Sequence, residues 1–129
     1  MKFEHVAFNV PDSRAHAAWL ASALGFAIAR APVGPTHMHF LADETGRVVL
    51  ELYTNPDLPM LAFTTQHPQV THFALATANA AAEAARLVAA GASPFSDDTL
   101  PDGTRLVMLR DPWGFALQLC QRAVPFPMP

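Results

Sequence analysis

The chain has 129 residues, of which 51% are hydrophobic and 15% are charged, and its net charge is −3. This length suits one compact domain with a hydrophobic core, and the composition excludes a disordered chain. The small negative charge excludes a basic face for nucleic acid and a polybasic membrane anchor. No apolar run approaches the roughly 20 residues of a membrane span, and the first residues are unlike a signal peptide. The single cysteine, Cys120, fits a reducing compartment. We therefore expect a small cytoplasmic protein without nucleic-acid or membrane partners.

The first half of the chain contains an alternating segment, one helix and three further strand-like stretches. Asp12 is a plausible N-cap for the helix, and Gly25 is a plausible residue to end it. Asp43–Gly46 is the predicted hairpin turn before the last strand. The predicted strands of this half span residues 2–10, 26–31, 36–41 and 47–53.

The second half repeats this order after a Pro-containing linker at 54–69. Asn79 is expected to cap its helix and Gly91 to end it. Asp111–Gly114, with the sequence DPWG, is its predicted hairpin turn. Its predicted strands span residues 69–77, 92–96, 104–110 and 115–121.

Each half therefore reads β-α-β-β-β, and we predict one domain built from two modules. The first module covers about 1–53 and the second about 70–121, joined by the linker. The remaining tail, 122–129, cannot join a central strand because of its prolines. It is predicted to be an extended surface segment or, alternatively, a strap over a pocket or across a dimer.

Two pairs of potential metal ligands lie at the same interval in the two modules. The spacing from His5 to Glu51 equals that from His72 to Gln118, so a single shift along the chain relates the two pairs. A repeated architecture would bring four such residues to one axis, which makes them a candidate metal site. Strand alternation puts them on the face opposite most of the large apolar side chains.

Glu51 is the least expected of these residues, because it interrupts the apolar run VVLELY. A lone buried carboxylate is costly unless it is paired or bound to a cation. A metal ion would remove that cost. The alternative is a partly solvated face on which Glu51 pairs with a histidine or an arginine.

The order and spacing of four local motifs resemble those of the vicinal oxygen chelate superfamily. The motifs are a histidine at the first strand, ELY in the fourth, TH in the fifth, and DPWG followed by QL at the end. This resemblance covers Met1 to about Gln121, and the superfamily includes glyoxalase I, bleomycin-binding proteins and extradiol dioxygenases. It implies an α+β fold in which two tandem βαβββ modules form a cup-shaped, eight-stranded mixed sheet with the helices outside.

The same resemblance implies one divalent metal ion per site, with His5, Glu51, His72 and Gln118 as its ligands. The superfamily usually has a glutamate at the fourth position, so Gln118 is a departure that leaves Glu51 as the only carboxylate. Two imidazoles, one carboxylate and one amide oxygen are acceptable ligands for Zn, Ni, Mn or Fe. A homodimer is also implied, with the ligands meeting within one chain or across two.

Three functions are compatible with these residues. The leading hypothesis is a metal-dependent lyase or isomerase that polarises a small oxygenated substrate, with Glu51 as the catalytic proton acceptor next to a carbonyl. The second is a bleomycin-resistance-like protein that binds a planar compound, with stacking surfaces on Tyr53, Phe3, Trp113 and Phe63. The third is an Fe(II) extradiol-type dioxygenase with a facial triad of His5, His72 and Glu51.

Weaker candidates for substrate contacts are Tyr53, His37, His39, Arg105 and Trp113. The two histidines lie two residues apart on a predicted strand and share one side, either inside the cup or in solvent. Arg105 is a candidate partner for an anionic substrate, although isolated arginines are more often surface residues. Cys120 is predicted to be a small packed residue, with a reactive thiol as the alternative. His16, in the first helix, is expected to be exposed to solvent.

Overall fold

The computed structural model describes residues 1–127, and the chain divides into two compact units between Leu61 and Ala62. This boundary lies inside the predicted linker. The last two residues of the predicted tail, Met128 and Pro129, lie outside the described residues. Among the described residues, no helix is long and apolar enough to cross a membrane.

Unit 1 contains one helix and a four-stranded mixed sheet in the order β1-β4-β3-β2. The first strand runs parallel to β4, and the other two pairings are antiparallel. Its elements are β1 (Val6–Asn9), α1 (Ser13–Leu24), β2 (Ala27–Arg30), β3 (His39–Ala42) and β4 (Val48–Tyr53).

Unit 2 repeats this arrangement with the order β5-β8-β7-β6, again with one parallel pairing, between β5 and β8. Its elements are β5 (Phe73–Ala76), α2 (Ala80–Ala89), β6 (Ser93–Thr99), β7 (Arg105–Arg110) and β8 (Ala116–Gln121). The predicted α+β class and the two βαβββ modules are therefore confirmed. Hydrogen bonding groups the eight strands into two sheets of four.

Both helices begin at the predicted residues, α1 also ends at the predicted Gly25, and α2 ends one residue before the predicted Gly91. Asp12 accepts a hydrogen bond from the backbone N–H of Ala15, and Gly25 follows α1 in the left-handed region at a φ of 73°. Asn79 caps α2 in the same way, and Gly91 comes one residue after its C-cap at a φ of 102°. These short-range signals were sufficient because capping depends on residues three or four positions apart.

The first strand of each module (β1 and β5) and β3 are shorter than predicted. The ladder between β1 and β4 begins at Val6, which pairs with Leu50, so His5 stands just outside the strand. The predicted strand at 36–41 is interrupted because His37 has a φ of 47°, which extended backbone does not adopt. Consequently β3 begins only at His39.

Alternating burial places the ligand candidates and the core on opposite faces. In β4, Leu50 and Leu52 are buried, whereas Glu51 between them is partly exposed. In β8, Leu117 and Leu119 are buried and Gln118 is partly exposed, but Ala116 and Cys120 on the face of Gln118 are buried too. His16 differs from its prediction: it is buried in α1, because the helix turns this position towards the unit's interior.

Candidate functional site

His5 and Glu51 form a contact pair in unit 1. His5 lies directly before β1, and Glu51 lies in β4, where its backbone pairs with Ala7 of the parallel strand. This register brings His5 Nε2 to 2.9 Å from Glu51 Oε2, with 25% and 13% of the two side chains exposed. The carboxylate that interrupts an apolar strand is therefore paired with an imidazole on a partly exposed face, which was the alternative to a bound metal ion, and this pairing limits the cost of its burial.

The His5 ring is also held by Phe40, a residue that the sequence did not single out. The two ring centroids lie 5.6 Å apart in an edge-to-face arrangement. Phe40 is also the β3 residue that pairs with Glu51, so it shares the face of the carboxylate. The alternation of side chains along β3 could have indicated which face Phe40 occupies, but only the pairing of β3 with β4 shows that this is the face of Glu51.

The second ring nitrogen of His5 is free for an outer contact. Nδ1 is buried and has no hydrogen-bond partner among residues 1–127. It lies 3.2 Å from Glu4 Oε2 without forming a hydrogen bond, and the Glu4 side chain is 84% exposed. Metal-bound histidines usually donate their second N–H to a carboxylate or carbonyl, and the exposed Glu4 carboxylate is the acceptor that lies near Nδ1.

His72 and Gln118 occupy the equivalent positions in unit 2 but do not form such a pair. His72 lies directly before β5, and its Nδ1 is 2.9 Å from the Pro68 carbonyl oxygen. Because a carbonyl oxygen only accepts, Nδ1 carries the proton and the Nε2 lone pair is left for a ligand. Gln118 Oε1 accepts a hydrogen bond from the Cys120 thiol at 3.3 Å.

The donor atoms of these four residues suit a divalent transition metal. Two imidazole nitrogens, one carboxylate and one amide oxygen are common ligands of Zn, Ni, Mn and Fe. Within residues 1–127, no three side chains of His, Cys, Asp or Glu are grouped to hold a metal ion. We therefore describe each pair within its own unit.

Gln118 also lines a pocket of about 440 Å³ in unit 2. Its walls combine apolar and polar side chains, and Asp98 is its only acidic lining residue. The rings of His67 and Phe95 contact each other edge to face on one side, with centroids 5.3 Å apart. The pocket is lined by His67, Pro68, Gln69, Phe95, Ser96, Asp98, Thr99, Leu100, Leu106, Met108 and Gln118.

Arg110 fixes the segment that forms one wall of this pocket. Its Nη1 donates to the carbonyl oxygens of Phe63 and Gly114, and its Nη2 donates to that of Gln66. Its guanidinium also lies 5.6 Å from the centre of the Phe95 ring. Sequence reasoning missed this residue because its partners are up to 47 positions away.

Two weaker candidates lie close to the ligand strands. Tyr53 ends β4 two residues after Glu51, so it shares the face of the carboxylate and is partly exposed. Trp113 lies in the turn between β7 and β8, where its backbone N–H donates to Asp111 Oδ1. Phe63, predicted as a stacking surface, is instead buried in unit 2 against Phe115, with centroids 4.6 Å apart.

Arg105 lies on the face of its sheet opposite Gln118. Its register partner is Gln121, whereas Met108 pairs with Gln118. Its guanidinium forms a two-pronged ion pair with Asp97, at 2.8 and 2.6 Å. This hydrogen bonding lowers the pKa of Asp97 and raises that of Arg105.

His37 and His39, the two histidine candidates, lie away from Glu51. His39 pairs with Leu52, a core residue, so the register places it on the opposite side of β4 from the carboxylate. Both histidines line a separate pocket in unit 1. Cys120 is packed as predicted: it is buried, and this burial raises the pKa of its thiol.

A known domain family matches almost the whole chain. The profile described as "Glyoxalase-like domain" matches residues 5–120, from the first ligand candidate to Cys120. No sequence relative is found among curated proteins.

Solved structures with similar folds include enzymes and binding proteins. A glyoxalase I variant from Zea mays superposes with a TM-score of 0.73 and 22% identity, covering 95% of this chain but only 46% of the maize chain. The antibiotic binding protein TnmS3 from Streptomyces sp. CB03234 gives 0.70 and 19%, covering 95% and 97%. A glyoxalase family protein from Enterococcus faecalis gives 0.72 and 20%, covering 92% and 96%. At these identities the likeness shows the fold.

Proposed function

Because the chain belongs to the glyoxalase-like domain family, we propose that it is a divalent-metal-dependent enzyme of the lyase or isomerase kind. The observation that carries this proposal is the contact between His5 and Glu51, an imidazole and a carboxylate adjacent on a partly exposed sheet face. The proposed ligands are His5, Glu51, His72 and Gln118. When bound, the cation would supply Lewis acidity towards a carbonyl oxygen of a small substrate.

Glu51 is the proposed proton acceptor. A carboxylate oxygen can take a proton from a carbon next to a carbonyl if it lies within hydrogen-bond reach of that position. His5 Nε2 lies 2.9 Å from Glu51 Oε2, so the two proposed ligands of unit 1 stand next to each other. Gln118 carries an amide and cannot take a proton, so the proposed chemistry depends on one base.

His72 has a complementary role in this proposal. Its hydrogen bond to Pro68 fixes the ring tautomer and orientation, which leaves Nε2 as a neutral donor atom. Gln118 would contribute its side-chain oxygen, which at present accepts from Cys120. The second pair would therefore bind and orient without exchanging protons.

Elemental analysis of the purified protein tests the ligand assignment. We expect close to one divalent metal ion per chain in the wild type and a loss of most of it in His5→Ala and His72→Ala. His67→Ala is the matched control, because His67 is an exposed histidine outside the proposed ligand set and should leave the metal content unchanged. Equal metal content in all four proteins would refute the site, and iron as the bound metal would favour the dioxygenase alternative.

Turnover tests the role of Glu51. Incorporation of solvent deuterium next to the carbonyl can be measured by NMR on a panel of small aldehydes, hydroxyketones and their thiol adducts. Glu51→Gln should reduce exchange by about 100-fold or more, because it removes the base and retains the shape. Full exchange in this variant would show that Glu51 is not the base.

A second candidate function is the binding of a small planar molecule without turnover. The pocket of about 440 Å³ in unit 2, whose walls combine apolar side chains with several polar groups, favours it, and TnmS3, which shares the fold, is an antibiotic binding protein. Fluorescence titration of the metal-free protein with aromatic compounds tests it. Tight binding that persists in His5→Ala and Glu51→Gln would support sequestration over catalysis.

We also infer a cytoplasmic homodimer that acts on small molecules. The composition and the single cysteine support the reducing compartment, and dimers are usual in the superfamily that the sequence resembles. Sedimentation equilibrium would test the assembly: a mass of one chain at micromolar concentration would contradict it.

A further inference from the structure

Unit 1 contains a second pocket whose charged groups are all basic. It has a volume of about 300 Å³ and is formed by the first turn of α1 and the segment before β3. No acidic residue lines it. The lining residues of this basic pocket are Arg14, Ala31, Pro32, Val33, Gly34, His37, Met38 and His39.

His37, one of the lining residues of the basic pocket, is held in an uncommon backbone conformation. Its φ of 47° is the only positive value of a non-glycine residue among the described residues. This conformation costs of order 1 kcal/mol, and such residues cluster at ligand sites. The surroundings maintain it, because the His37 carbonyl oxygen accepts from Ser13 Oγ at 2.7 Å and from His39 Nδ1 at 2.6 Å.

The contact between Arg14 and His37 determines which hydrogen atoms are available to a ligand. Arg14 Nη2 lies 2.9 Å from His37 Nδ1. Because a guanidinium only donates, Nδ1 is the acceptor, and the neutral His37 ring carries its proton on Nε2. The basic pocket therefore offers the remaining N–H groups of Arg14 together with the Nε2–H of His37.

The nearest acidic neighbour along the chain does not neutralise this arrangement. The Asp12 carboxylate accepts the N–H of Ala15 as the helix cap, and Asp12 is not among the lining residues. The Ser13 N–H is also used, since it donates to Thr54 Oγ1. The positive charge of Arg14 consequently faces the pocket without a carboxylate partner among its lining residues.

We propose that the basic pocket binds the oxyanion group of a small metabolite, a phosphate or a carboxylate. A guanidinium and an imidazole N–H at one rim match the several acceptor oxygens of such a group. The site is separate from the proposed catalytic face, because His39 pairs with Leu52 and lies on the other side of the strand from Glu51. It is therefore independent of whether a metal is bound.

NMR titration of the ¹⁵N-labelled protein tests this proposal, with inorganic phosphate and succinate as separate probes. Saturable shifts of the Gly34 and His37 amides are expected with at least one probe, and the stronger probe identifies the oxyanion. Arg14→Gln should weaken binding by about tenfold or more, because it removes a charge-assisted hydrogen bond. His37→Asn should also weaken it, and asparagine tolerates the positive φ, so the backbone is retained.

Arg47→Gln is the control for net charge. Arg47 is an exposed arginine of the same unit that lies outside the pocket and donates to the Phe3 carbonyl oxygen. Its substitution should leave the affinity for the probe unchanged. The proposal is overturned if Arg14→Gln binds as tightly as the wild type, if neither probe gives saturable shifts, or if chloride at equal ionic strength reproduces them.

Discussion

The two modules hold their pairs of candidate ligands at equivalent backbone positions but surround them differently. In unit 1, His5 and Glu51 contact each other directly. In unit 2, His72 donates to the Pro68 carbonyl oxygen, and Gln118 accepts from a neighbouring thiol. The parallel ladders keep the positions equivalent, because the same offset joins β1 to β4 and β5 to β8. The repeat thus preserves the positions of the four residues, whereas their neighbours and hydrogen bonds differ between the two modules.

The equal spacing of the two pairs depends on an irregularity in unit 1. The β3–β4 ladder contains one extra residue, Val49, between the partners of Leu41 and Ala42, whereas the β7–β8 ladder runs without a shift. Phe40 pairs with Glu51, and Met108 pairs with Gln118. The separation from Phe40 to Met108 along the chain is accordingly one residue larger than that from Glu51 to Gln118. The stretch from His72 to Met108 is one residue longer than that from His5 to Phe40, and the bulge in β4 restores the equal spacing. Glu51 and Gln118 therefore lie on equivalent faces of their sheets.

The largest difference between the modules is the anchor at the end of β7. Arg110 donates to three backbone carbonyl oxygens, whereas the corresponding position at the end of β3 is Ala42. Arg110→Met keeps much of the side-chain length but leaves three carbonyl groups without their donor. We expect the free energy of unfolding to fall by about 3–5 kcal/mol, measured by urea denaturation.

Arg105→Met, on the same strand, is the control for this loss. The Arg105–Asp97 pair is exposed to solvent, so its removal should change the midpoint far less. Equal losses in the two variants would mean that Arg110 acts as an ordinary surface charge. The asymmetry between the modules would then need another explanation.

The two hairpin turns look alike but tolerate a side chain differently. In both, the fourth residue is a glycine with positive φ whose N–H donates to the first, an aspartate. A Cβ at Gly114 would lie 2.9 Å from the backbone nitrogen and Cα of Thr64, whereas one at Gly46 would meet nothing within 4 Å. Gly114→Ala should therefore cost about 3 kcal/mol, and Gly46→Ala about 1 kcal/mol from the left-handed backbone alone. Thermal unfolding of both variants measures the difference, and similar losses would show that the Thr64 segment yields easily.

Exchanging the charges of the two pairs tests the electrostatic difference between them. Glu51→Gln should weaken binding of Zn²⁺ by about 100-fold, because it removes the only carboxylate of the proposed set. Gln118→Glu should strengthen it, since it adds a second one. Competition with a chromophoric chelator measures both affinities. Unchanged affinity in both variants would remove these residues from the ligand set.

Local patterns in the sequence predicted most of the fold. Caps such as Asp12 and turns such as Asp111–Gly114 depend on neighbours a few residues apart, and the repeat supplied the module order. The predictions failed where distant residues decide the conformation. The positive φ of His37 ended the predicted third strand early, and the burial of His16 depends on how α1 packs.

The candidate site was predictable in its positions but not in its contacts. The spacing of His5 and Glu51 identified the pair, yet the edge-to-face contact with Phe40 depends on the register across two strands. The ion pair of Arg105 with Asp97 was likewise not predicted, because Asp97 lies on the neighbouring strand. Arg110 carried no local signal, because most of its carbonyl partners are distant along the chain.

The smallest expected effect concerns a feature that the modules share. Thr54 Oγ1 accepts the first N–H of α1, from Ser13, at 2.9 Å, and Gln121 Oε1 accepts the first N–H of α2, from Ala80, at 3.0 Å. The two acceptors differ in chemistry but are related by the same shift along the chain as the two pairs of candidate ligands. In each module the helix N-terminus is therefore hydrogen-bonded to the end of the last strand, through the residue after β4 or the last residue of β8. Gln121→Met should lower the free energy of unfolding by about 1 kcal/mol, measured by urea denaturation, because it leaves one helix N–H without its acceptor. Thr54→Val should lower it slightly more, because it also removes the hydrogen bond that Thr54 Oγ1 donates to Ser13 Oγ. A loss in only one variant would show that the two modules have diverged here as well, with water replacing the acceptor at the other helix.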